Sequence, residues 1–145
     1  MPRPTLVYIH CHRYYPDFDD GRAAVGARAR AAGVTRMVTI CTRPSAETNV
    51  RAIAEAHEGV FYAAGLHPMS VGKEPTPSLD DLLTLTKHPK MVGIGETGLD
   101  YHYTAETAEA QAESLRIHIA ASRQSGLPLI IHSRDADEDM ARILS

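Results

Sequence analysis

Cysteines are scarce in this sequence, and long apolar runs and an excess of positive charge are absent. Only two cysteines, Cys11 and Cys41, occur among 145 residues, so we expect no disulfide framework and a reducing, cytoplasmic location. No apolar run approaches the roughly 20 residues of a membrane helix, so we expect no membrane partner. The net charge of −3 provides no broad basic field for nucleic acid. Any phosphate must then be bound locally, by metal and a few arginines.

Short apolar runs alternate with amphipathic, helix-like stretches along the chain. The runs are nearly continuous rather than alternating, which is typical of strands that are buried on both faces. They comprise residues 5–9, 36–40, 60–66, 91–96 and 127–132. Strands that alternate with helices predict an α/β protein with a parallel sheet and right-handed crossovers. No linker or low-complexity stretch divides residues 1–145, which we expect to form a single domain.

Two architectures fit this alternation: an open doubly wound sheet, or part of a closed (β/α)8 barrel. A dinucleotide-binding sheet would carry G-x-G-x-x-G after its first strand, whereas HCHRYYPDFDDG follows here. The GIGETG sequence at residues 93–98 follows the fourth strand and contains a glutamate, so it is a weak phosphate-loop signal. A barrel predicts functional side chains at the carboxyl end of strand after strand.

Side chains that can bind metal do follow four of the five predicted strands. His10 and His12 end the first strand, His67 follows the third, Glu96 ends the fourth and His132 ends the fifth. Positions i and i+2 of a strand point to the same face about 6–7 Å apart, so two histidines there can converge on one cation. One such residue alone would be incidental, but four strand ends in a chain with eight histidines indicate a metal site.

Imidazole nitrogens and carboxylate oxygens suit divalent zinc, manganese or magnesium. A glutamate can also bridge two metals about 3.5–4 Å apart, the separation used for displacement at phosphorus. We therefore predict two divalent ions, one held by His10 and His12, the other by His132, and both by Glu96. Thiolate ligation is disfavoured, because Cys11 points to the face opposite its histidine neighbours.

Histidines on the predicted helices are expected to play other roles. His57, His88 and His118 lie within helix-like stretches, and we expect them at the surface or in helix packing. His102 follows the GLDY sequence, where it could face the mouth of a barrel or the solvent.

Four motifs in this chain, HCHRYYPDFD, GLHP, VGIGETGLDYHY and LPLIIHSRDADED, resemble those of the TatD-like deoxyribonucleases in order and spacing. That family comprises metal-dependent hydrolases of the amidohydrolase superfamily built on a (β/α)8 barrel. The resemblance covers essentially the whole chain and implies hydrolysis of DNA phosphodiesters, with Glu96 as a catalytic residue. It implies a set of metal ligands: His10, His12, Glu96 and His132. It also implies roles near the substrate at three further motif positions: His67, Asp100 and Arg134.

The first motif departs from the family pattern, which usually reads Asp-Ser-His-x-His-Leu-Asp. Two aspartates are replaced by Tyr8 and Tyr14, and a leucine is replaced by Arg13. Tyr8 shares a strand face with His10, so a carboxylate that could orient an imidazole is missing. We therefore expect weaker metal binding even though the ligands remain.

The chain supplies five strand-helix units, whereas a complete barrel has eight and takes roughly 250 residues. The family's remaining histidine ligand follows the sixth strand and its active-site aspartate follows the eighth, and neither has a counterpart here. We therefore predict a partial (β/α)8 TIM-type barrel without its C-terminal units, as a fragment or as a truncated relative. Its expected partner is the missing barrel half, or another copy bound through exposed strand edges.

Three functions fit these observations. The first is a TatD-like DNase whose activity is impaired in this chain alone. The second is hydrolysis of small-molecule esters or amides by the same ligands. The third is a non-catalytic barrel remnant that binds metal or a partner chain. The sequence leaves open the native metal and the choice between DNA and RNA.

Overall fold

A computed structural model describes residues 5–145 of the chain. These residues form β1 (Leu6–Cys11), β2 (Val34–Cys41), β3 (Val60–Ala64), β4 (Met91–Asp100) and β5 (Leu129–Arg134). The α-helices between and after them are α1 (Arg22–Ala31), α2 (Glu47–Glu55), α3 (Leu79–Leu85), α4 (Ala108–Ser125) and α5 (Asp137–Leu144). The predicted alternation of strands and helices is confirmed, although β4 continues four residues beyond the predicted apolar run, from 96 to 100.

The sheet has the strand order β1-β2-β3-β4-β5, and every neighbouring pair is parallel. A doubly wound sheet would reverse its strand order at a switch point, whereas consecutive strands in a barrel wall lie side by side. The predicted partial (β/α)8 barrel is therefore confirmed. Among the strands that the structure describes, β1 pairs only with β2 and β5 pairs only with β4.

The main hydrophobic core lies between the middle of the sheet and the helices that cover it. Side chains from β2, β3 and β4 pack there against α2, α3 and α4. The largest fully buried members include Ile94, Leu82, Val50 and Tyr62. Burial of each such side chain contributes about 1.5–3 kcal/mol. The first four residues of β1 lack this cover, and their exposed fractions run from 48% at Leu6 to 68% at Ile9.

Two helix ends show why the helices begin and end where they do. The Ser78 hydroxyl accepts a hydrogen bond from the Asp81 N–H, and the Asp81 carboxylate accepts one from the Ser78 N–H, which caps α3. At the end of α4, Gly126 adopts a left-handed conformation with φ of 73°, which costs glycine little. No helix within residues 5–145 has the length and apolarity needed to cross a membrane.

Arg13, which stands where the family motif has leucine, is buried beneath α1. Its guanidinium donates to the carbonyl oxygen of Arg22 at 2.9 Å and lies against the sulfur of Met37. Gly26 makes the necessary room, since a Cβ there would lie 2.8 Å from Nη2 of Arg13. This departure is therefore accommodated between α1 and β2, in the layer between helix and sheet.

Candidate metal centre

The carboxyl ends of the parallel strands bring the predicted metal-binding side chains together. His10 lies near the end of β1 and His12 directly follows it, whereas Glu96 and His132 lie within β4 and β5. His67 follows the end of β3. Because the strands are parallel and consecutive, these positions share one edge of the sheet.

Glycines allow the backbones to approach one another closely at this edge. A Cβ on Gly65 would lie 2.7 Å from Cα of Gly95, so β3 and β4 could not come as close with larger residues. Gly98 has a φ of 147°, and a Cβ there would collide with the carbonyl oxygen of His132. The GIGETG sequence therefore serves close packing of β4 between its two neighbours.

Glu96 lies at the centre of the cluster, and its two carboxylate oxygens face different strands. Its Oε2 lies 3.3 Å from Nε2 of His10. Its Oε1 lies 3.5 Å from Nδ1 of His132 and 3.9 Å from Nε2 of His67. The side chain is buried, with an exposed fraction of 8% for the residue. One carboxylate thus connects the histidines of β1 with those that follow β3 and lie in β5.

Two groups of candidate ligands share this glutamate. Each group offers one atom per residue, with all of its atoms within 4.8 Å of one another. The first group is His10, His12 and Glu96, and the second is His67, Glu96 and His132. This geometry agrees with the predicted division of ligands between two cations, although the ligand roles stay predictions. It adds His67, which the sequence had assigned to the substrate, to the second group.

The residues of both groups fit a divalent cation. Their nitrogen and oxygen donors suit zinc, manganese and magnesium. Within the described part of the chain, Nδ1 of His12 is buried without a hydrogen-bond partner. The backbone of Ile40 lies beside the same ring, and a backbone partner for one ring nitrogen leaves the other available to a cation.

Burial keeps His12 and His67 in the neutral form that binds metal. Burial and the nearby His10 lower the pKa of His12. Burial also lowers the pKa of His67 to about 4, against an opposing effect of Glu96. Both imidazoles are therefore neutral near pH 7, as metal ligation requires.

Asp100 holds the ring of His132 from the side opposite Glu96. Its Oδ2 lies 2.9 Å from Nε2 of His132, and its Oδ1 accepts a hydrogen bond from the Tyr103 N–H at 2.8 Å. Burial alone would raise the pKa of Asp100, but these hydrogen bonds outweigh it and lower the pKa. A carboxylate in this position orients a metal-binding imidazole. Its predicted contact with substrate stays a prediction.

Hydrogen bonding also sets the orientation of His67. Its Nδ1 accepts from the Met69 N–H at 3.2 Å, which leaves Nε2 facing Nδ1 of His132 at 3.2 Å. Because Nδ1 accepts, the neutral ring of His67 carries its proton on Nε2 and donates it to Nδ1 of His132. Binding of a cation at Nε2 would require this proton to move to Nδ1, which would then lose the bond from the Met69 N–H. In the structure these two rings are thus joined by a hydrogen bond, and both lie close enough to Glu96 to share a cation with it.

Arg134 and His102 lie outside the two groups. The guanidinium of Arg134 is exposed at the end of β5, 4.8 Å from the centre of the Tyr103 ring. Nδ1 of the exposed His102 lies 3.0 Å from a carboxylate oxygen of Asp135. The predicted role of Arg134 in substrate binding stays a prediction.

Tyr14, at the second aspartate position of the family motif, and the following Tyr15 form an aromatic wall beside the first group. The ring of Tyr15 stacks on that of His12, with 5.1 Å between centres and 9° between planes. Tyr14 meets the edge of Tyr15, and its hydroxyl hydrogen-bonds with that of Thr42. A cavity of about 680 Å³ lies against this wall and the metal-competent residues. Arg43 and Lys73 add two cations to its lining.

Two buried polar residues on α4 were anticipated only in part, since the sequence placed His118 at the surface or in helix packing and did not single out Gln111. Gln111 and His118 are both fully buried, although such side chains usually face the solvent. They share the buried face of α4 with Leu115 and Ala121. Their helical spacing with these apolar residues was the available signal, but it does not reveal the bonding partners.

The partial barrel and the glutamate shared by two ligand groups can now be compared with known proteins, and the comparison identifies the family of this chain. Residues 9–145 match the family described as TatD related DNase. The chain belongs to this TatD family, and most of the relatives compared are named metal-dependent hydrolases.

Two curated relatives illustrate the match. The "Uncharacterized metal-dependent hydrolase YabD" of Bacillus subtilis (strain 168) is 34% identical over 139 residues, which cover 96% of this chain and 54% of the relative. The "3'-5' ssDNA/RNA exonuclease TatD" of Enterobacter lignolyticus (strain SCF1) is 32% identical over 130 residues, covering 90% of this chain and 50% of the relative. The chain thus spans about half the length of the curated relatives that it matches.

A solved structure gives the same result. The YJJV protein, a TatD homolog from Escherichia coli K12, superposes with a TM-score of 0.87 at 30% identity. The match covers 96% of this chain and 54% of that protein. The five strand-helix units therefore correspond to about half of a TatD-family structure.

Proposed function

We propose that this chain forms the N-terminal part of a metal-dependent phosphodiesterase that cleaves DNA. The observation that carries the proposal is the sharing of Glu96 between two groups of candidate ligands. Two cations bound there would supply an activated water nucleophile and neutralise charge on the phosphate.

Each residue of the site has a definite role in this proposal. Glu96 is the catalytic carboxylate that contacts both cations. His10 and His12 complete the first group, whereas His67 and His132 complete the second. Asp100 accepts a hydrogen bond from the N–H of His132 and keeps the other nitrogen of that ring directed towards Glu96.

The cavity beside the site suits a single-stranded nucleic acid. Arg43 and Lys73 line it and offer positive charge to phosphate groups, with Nε of Arg43 lying 4.0 Å from the carboxylate of Glu74 in the same lining. Arg134, at the end of β5, is a further candidate contact. Tyr14 and Tyr15 also line the cavity, and their rings are aromatic surfaces on which bases can stack. Since the net charge is −3, attraction of a polyanion must come from these local cations. The name of the Enterobacter relative, which includes both ssDNA and RNA, supports testing both polymers.

We further propose that full activity requires a partner that covers the two edge strands. The chain spans only 54% of the B. subtilis relative, and β1 exposes Leu6, Val7 and Ile9. The proposed partner is the missing C-terminal barrel half, and self-association through the same edges is the competing outcome. These observations also favour an alternative function, that of a non-catalytic remnant that binds metal or a partner chain.

A cytoplasmic location is also proposed. Cys11 and Cys41 are both free and buried. Burial raises the pKa of Cys41 to about 12, so its thiol stays protonated and unreactive. Free thiols of this kind suit a reducing compartment.

A substrate panel with metal tests the proposed function. Single-stranded DNA, double-stranded DNA, RNA, a chromogenic phosphodiester and a carboxyl ester would be incubated with the chain and Mn²⁺, Mg²⁺ or Zn²⁺. The chain joined to the C-terminal half of the B. subtilis relative would be assayed in parallel. We expect metal-dependent cleavage of DNA, weak for the chain and stronger for the chimera.

Matched variants make the assay specific. Glu96→Gln should abolish cleavage, whereas Glu109→Gln, at an exposed position of α4, should leave it unchanged. Faster cleavage of the carboxyl ester than of any phosphodiester would favour the small-molecule hydrolase. Metal binding without hydrolysis of any substrate, even in the chimera, would favour the non-catalytic remnant.

A further inference from the structure

Helix α4 carries two buried polar side chains that hold the ends of two strands. Gln111 and His118 are seven residues apart, about two helical turns, so they lie on nearly the same face. Both have exposed fractions of 0%. α4 packs principally on β4, behind the edge at which the candidate ligands converge.

His118 fixes the backbone immediately before His67. Its Nε2 accepts a hydrogen bond from the Leu66 N–H at 3.0 Å, and its Nδ1 lies 2.7 Å from the Ser114 carbonyl oxygen. Because a carbonyl can only accept, Nδ1 carries the proton and Nε2 carries the lone pair. The N–H of His67 itself donates to the Thr42 carbonyl oxygen at 2.9 Å. Two consecutive peptide groups are therefore held just where the imidazole of His67 leaves the backbone.

Gln111 fixes the backbone at Asp100 in a similar way. Its Oε1 accepts from the Asp100 N–H at 2.8 Å. Its Nε2 donates to the carbonyl oxygens of Thr104 at 2.6 Å and Asp100 at 3.2 Å. Asp100 in turn bonds to His132. Gln111 therefore reaches the second ligand group through one intermediate residue.

We propose that His118 and Gln111 are positioning residues for the His67–Glu96–His132 group. From α4, which packs on β4, they fix the backbone positions from which members of this group extend. This inference rests on the proposed metal-dependent function. His118 acts on His67, and Gln111 acts on His132 through Asp100, so one helix places two of the three members. The His10–His12–Glu96 group receives no such support from these two side chains, because neither bonds to β1 or to the residues that follow it.

This arrangement predicts a selective effect on metal binding. If the two side chains only satisfied buried backbone groups, their loss would lower stability and weaken both ligand groups alike. If they position the second group, their loss should weaken the binding of one cation and leave the binding of the other unchanged. Changes to residues that orient ligands typically lower metal affinity 10- to 100-fold.

Three variants of the chain, each joined to the C-terminal half of the B. subtilis relative, would test this. His118→Leu removes the acceptor for the Leu66 N–H, and Gln111→Met removes the amide with little change of volume. His118→Gln restores an acceptor through its amide oxygen, so it serves as the conservative variant. His57→Leu is the matched control, because His57 precedes β3 at the opposite end of the strands.

Zn²⁺ binding would be measured by calorimetry, and Co²⁺ absorption spectra would report the ligand geometry. For the unaltered chain in this chimera we expect two Zn²⁺ sites. His118→Leu and Gln111→Met should weaken one site about 10- to 100-fold and change one component of the Co²⁺ spectrum. His118→Gln should recover most of the lost affinity, and His57→Leu should bind as the unaltered chain does.

Thermal melts of the metal-free variants would separate positioning from stability. Equal weakening of both sites in proportion to lost stability would overturn the inference, and so would unchanged affinity in His118→Leu and Gln111→Met. If His118→Leu does not fold, Gln111→Met and His118→Gln still decide the matter. Two normal sites in the unaltered chain with no selective loss in the variants would refute the positioning role alone. No divalent binding by the unaltered chain would refute the proposed function as well.

Discussion

Nε2 of His132 lies 2.9 Å from Oδ2 of Asp100, and Nδ1 of the same ring lies 3.5 Å from Oε1 of Glu96. The imidazole is thus held between two carboxylates, one buried beneath it and one at the centre of the site. Asp100 determines that Nε2 of His132 carries the proton, and so leaves Nδ1 free to bind a cation.

The first prediction concerns this buried carboxylate. Asp100→Asn removes the negative charge that stabilises the proton on Nε2 of His132, and it can present a donor to the ring instead. We expect metal affinity to fall about 10- to 100-fold, measured by titration with Zn²⁺. Asp80→Asn, at an exposed position in the first turn of α3, is the control and should bind normally. Equal affinity in both variants would show that Asp100 does not orient the ring.

The second prediction compares two ligands. Glu96 faces histidines from three strand ends, whereas His132 belongs to one ligand group. Glu96→Ala should therefore reduce the number of bound metal ions by more than His132→Ala does. Equilibrium dialysis gives this number directly. Small and equal losses in the two variants would contradict the bridging role.

Much of this architecture could be predicted from the sequence, because its signals are local. Nearly continuous apolar runs mark buried parallel strands, and polar residues at the ends of those runs identify the edge where a site forms. The convergence of His10, His12, Glu96 and His132 follows from the topology alone. The place of His67 does not follow, because it depends on the bond from the Met69 N–H that turns the ring.

Features that depend on distant partners could not be predicted in the same way. His118 bonds to Leu66, 52 positions earlier in the chain, and Gln111 bonds to Asp100, 11 positions earlier. A helical pattern shows only that these side chains share a face with apolar residues. Arg13 is similar, since its burial requires the space that Gly26 leaves on α1.

The third prediction concerns Tyr8, which stands where the family motif has aspartate. Tyr8 precedes His10 by two positions on β1, a spacing that places side chains on one face of a regular strand. Tyr8→Asp should supply a carboxylate that can orient the His10 imidazole, which would tighten Zn²⁺ or Mn²⁺ binding about 10- to 100-fold. Tyr103→Asp, at an exposed position after β4, controls for added negative charge. Unchanged affinity in Tyr8→Asp would mean that this position does not support the site.

The fourth prediction concerns the dependence of stability on pH. Burial lowers the pKa of His118 from 6.5 to about 4, so between these values the unfolded chain binds a proton that the folded chain does not. The free energy of unfolding is therefore unaffected by protonation of His118 above about pH 6.5. It falls as the pH decreases towards 4, by about 3 kcal/mol in all. Urea denaturation of the metal-free chain, joined to the C-terminal half of the B. subtilis relative, at pH 7.5 and 4.5 should show a smaller decline in unfolding free energy for His118→Gln than for the unaltered sequence. Parallel declines would indicate that His118 contributes nothing to the acid sensitivity.

The last prediction concerns the two edge strands. Val7 and Ile9 are 55% and 68% exposed on β1, and Ile131 is 39% exposed on β5. Apolar edge strands whose backbone groups lack a neighbouring strand are templates for pairing with another chain, and barrel closure normally removes such edges. We therefore expect the isolated 145-residue chain to be oligomeric, molten or poorly soluble, with little or no nuclease activity. Val7→Lys should reduce this association, because a charged side chain on an edge strand opposes pairing. Ala27→Lys, on the exposed surface of α1, should not.

Joining the chain to the C-terminal half of the B. subtilis relative should have a larger effect, because the added strands would cover both edges. We expect this chimera to be monodisperse by size-exclusion chromatography and to cleave DNA when a divalent metal is added. A chain that is monomeric by itself, melts cooperatively and cleaves DNA with metal would contradict the prediction, since the site would then need no other half.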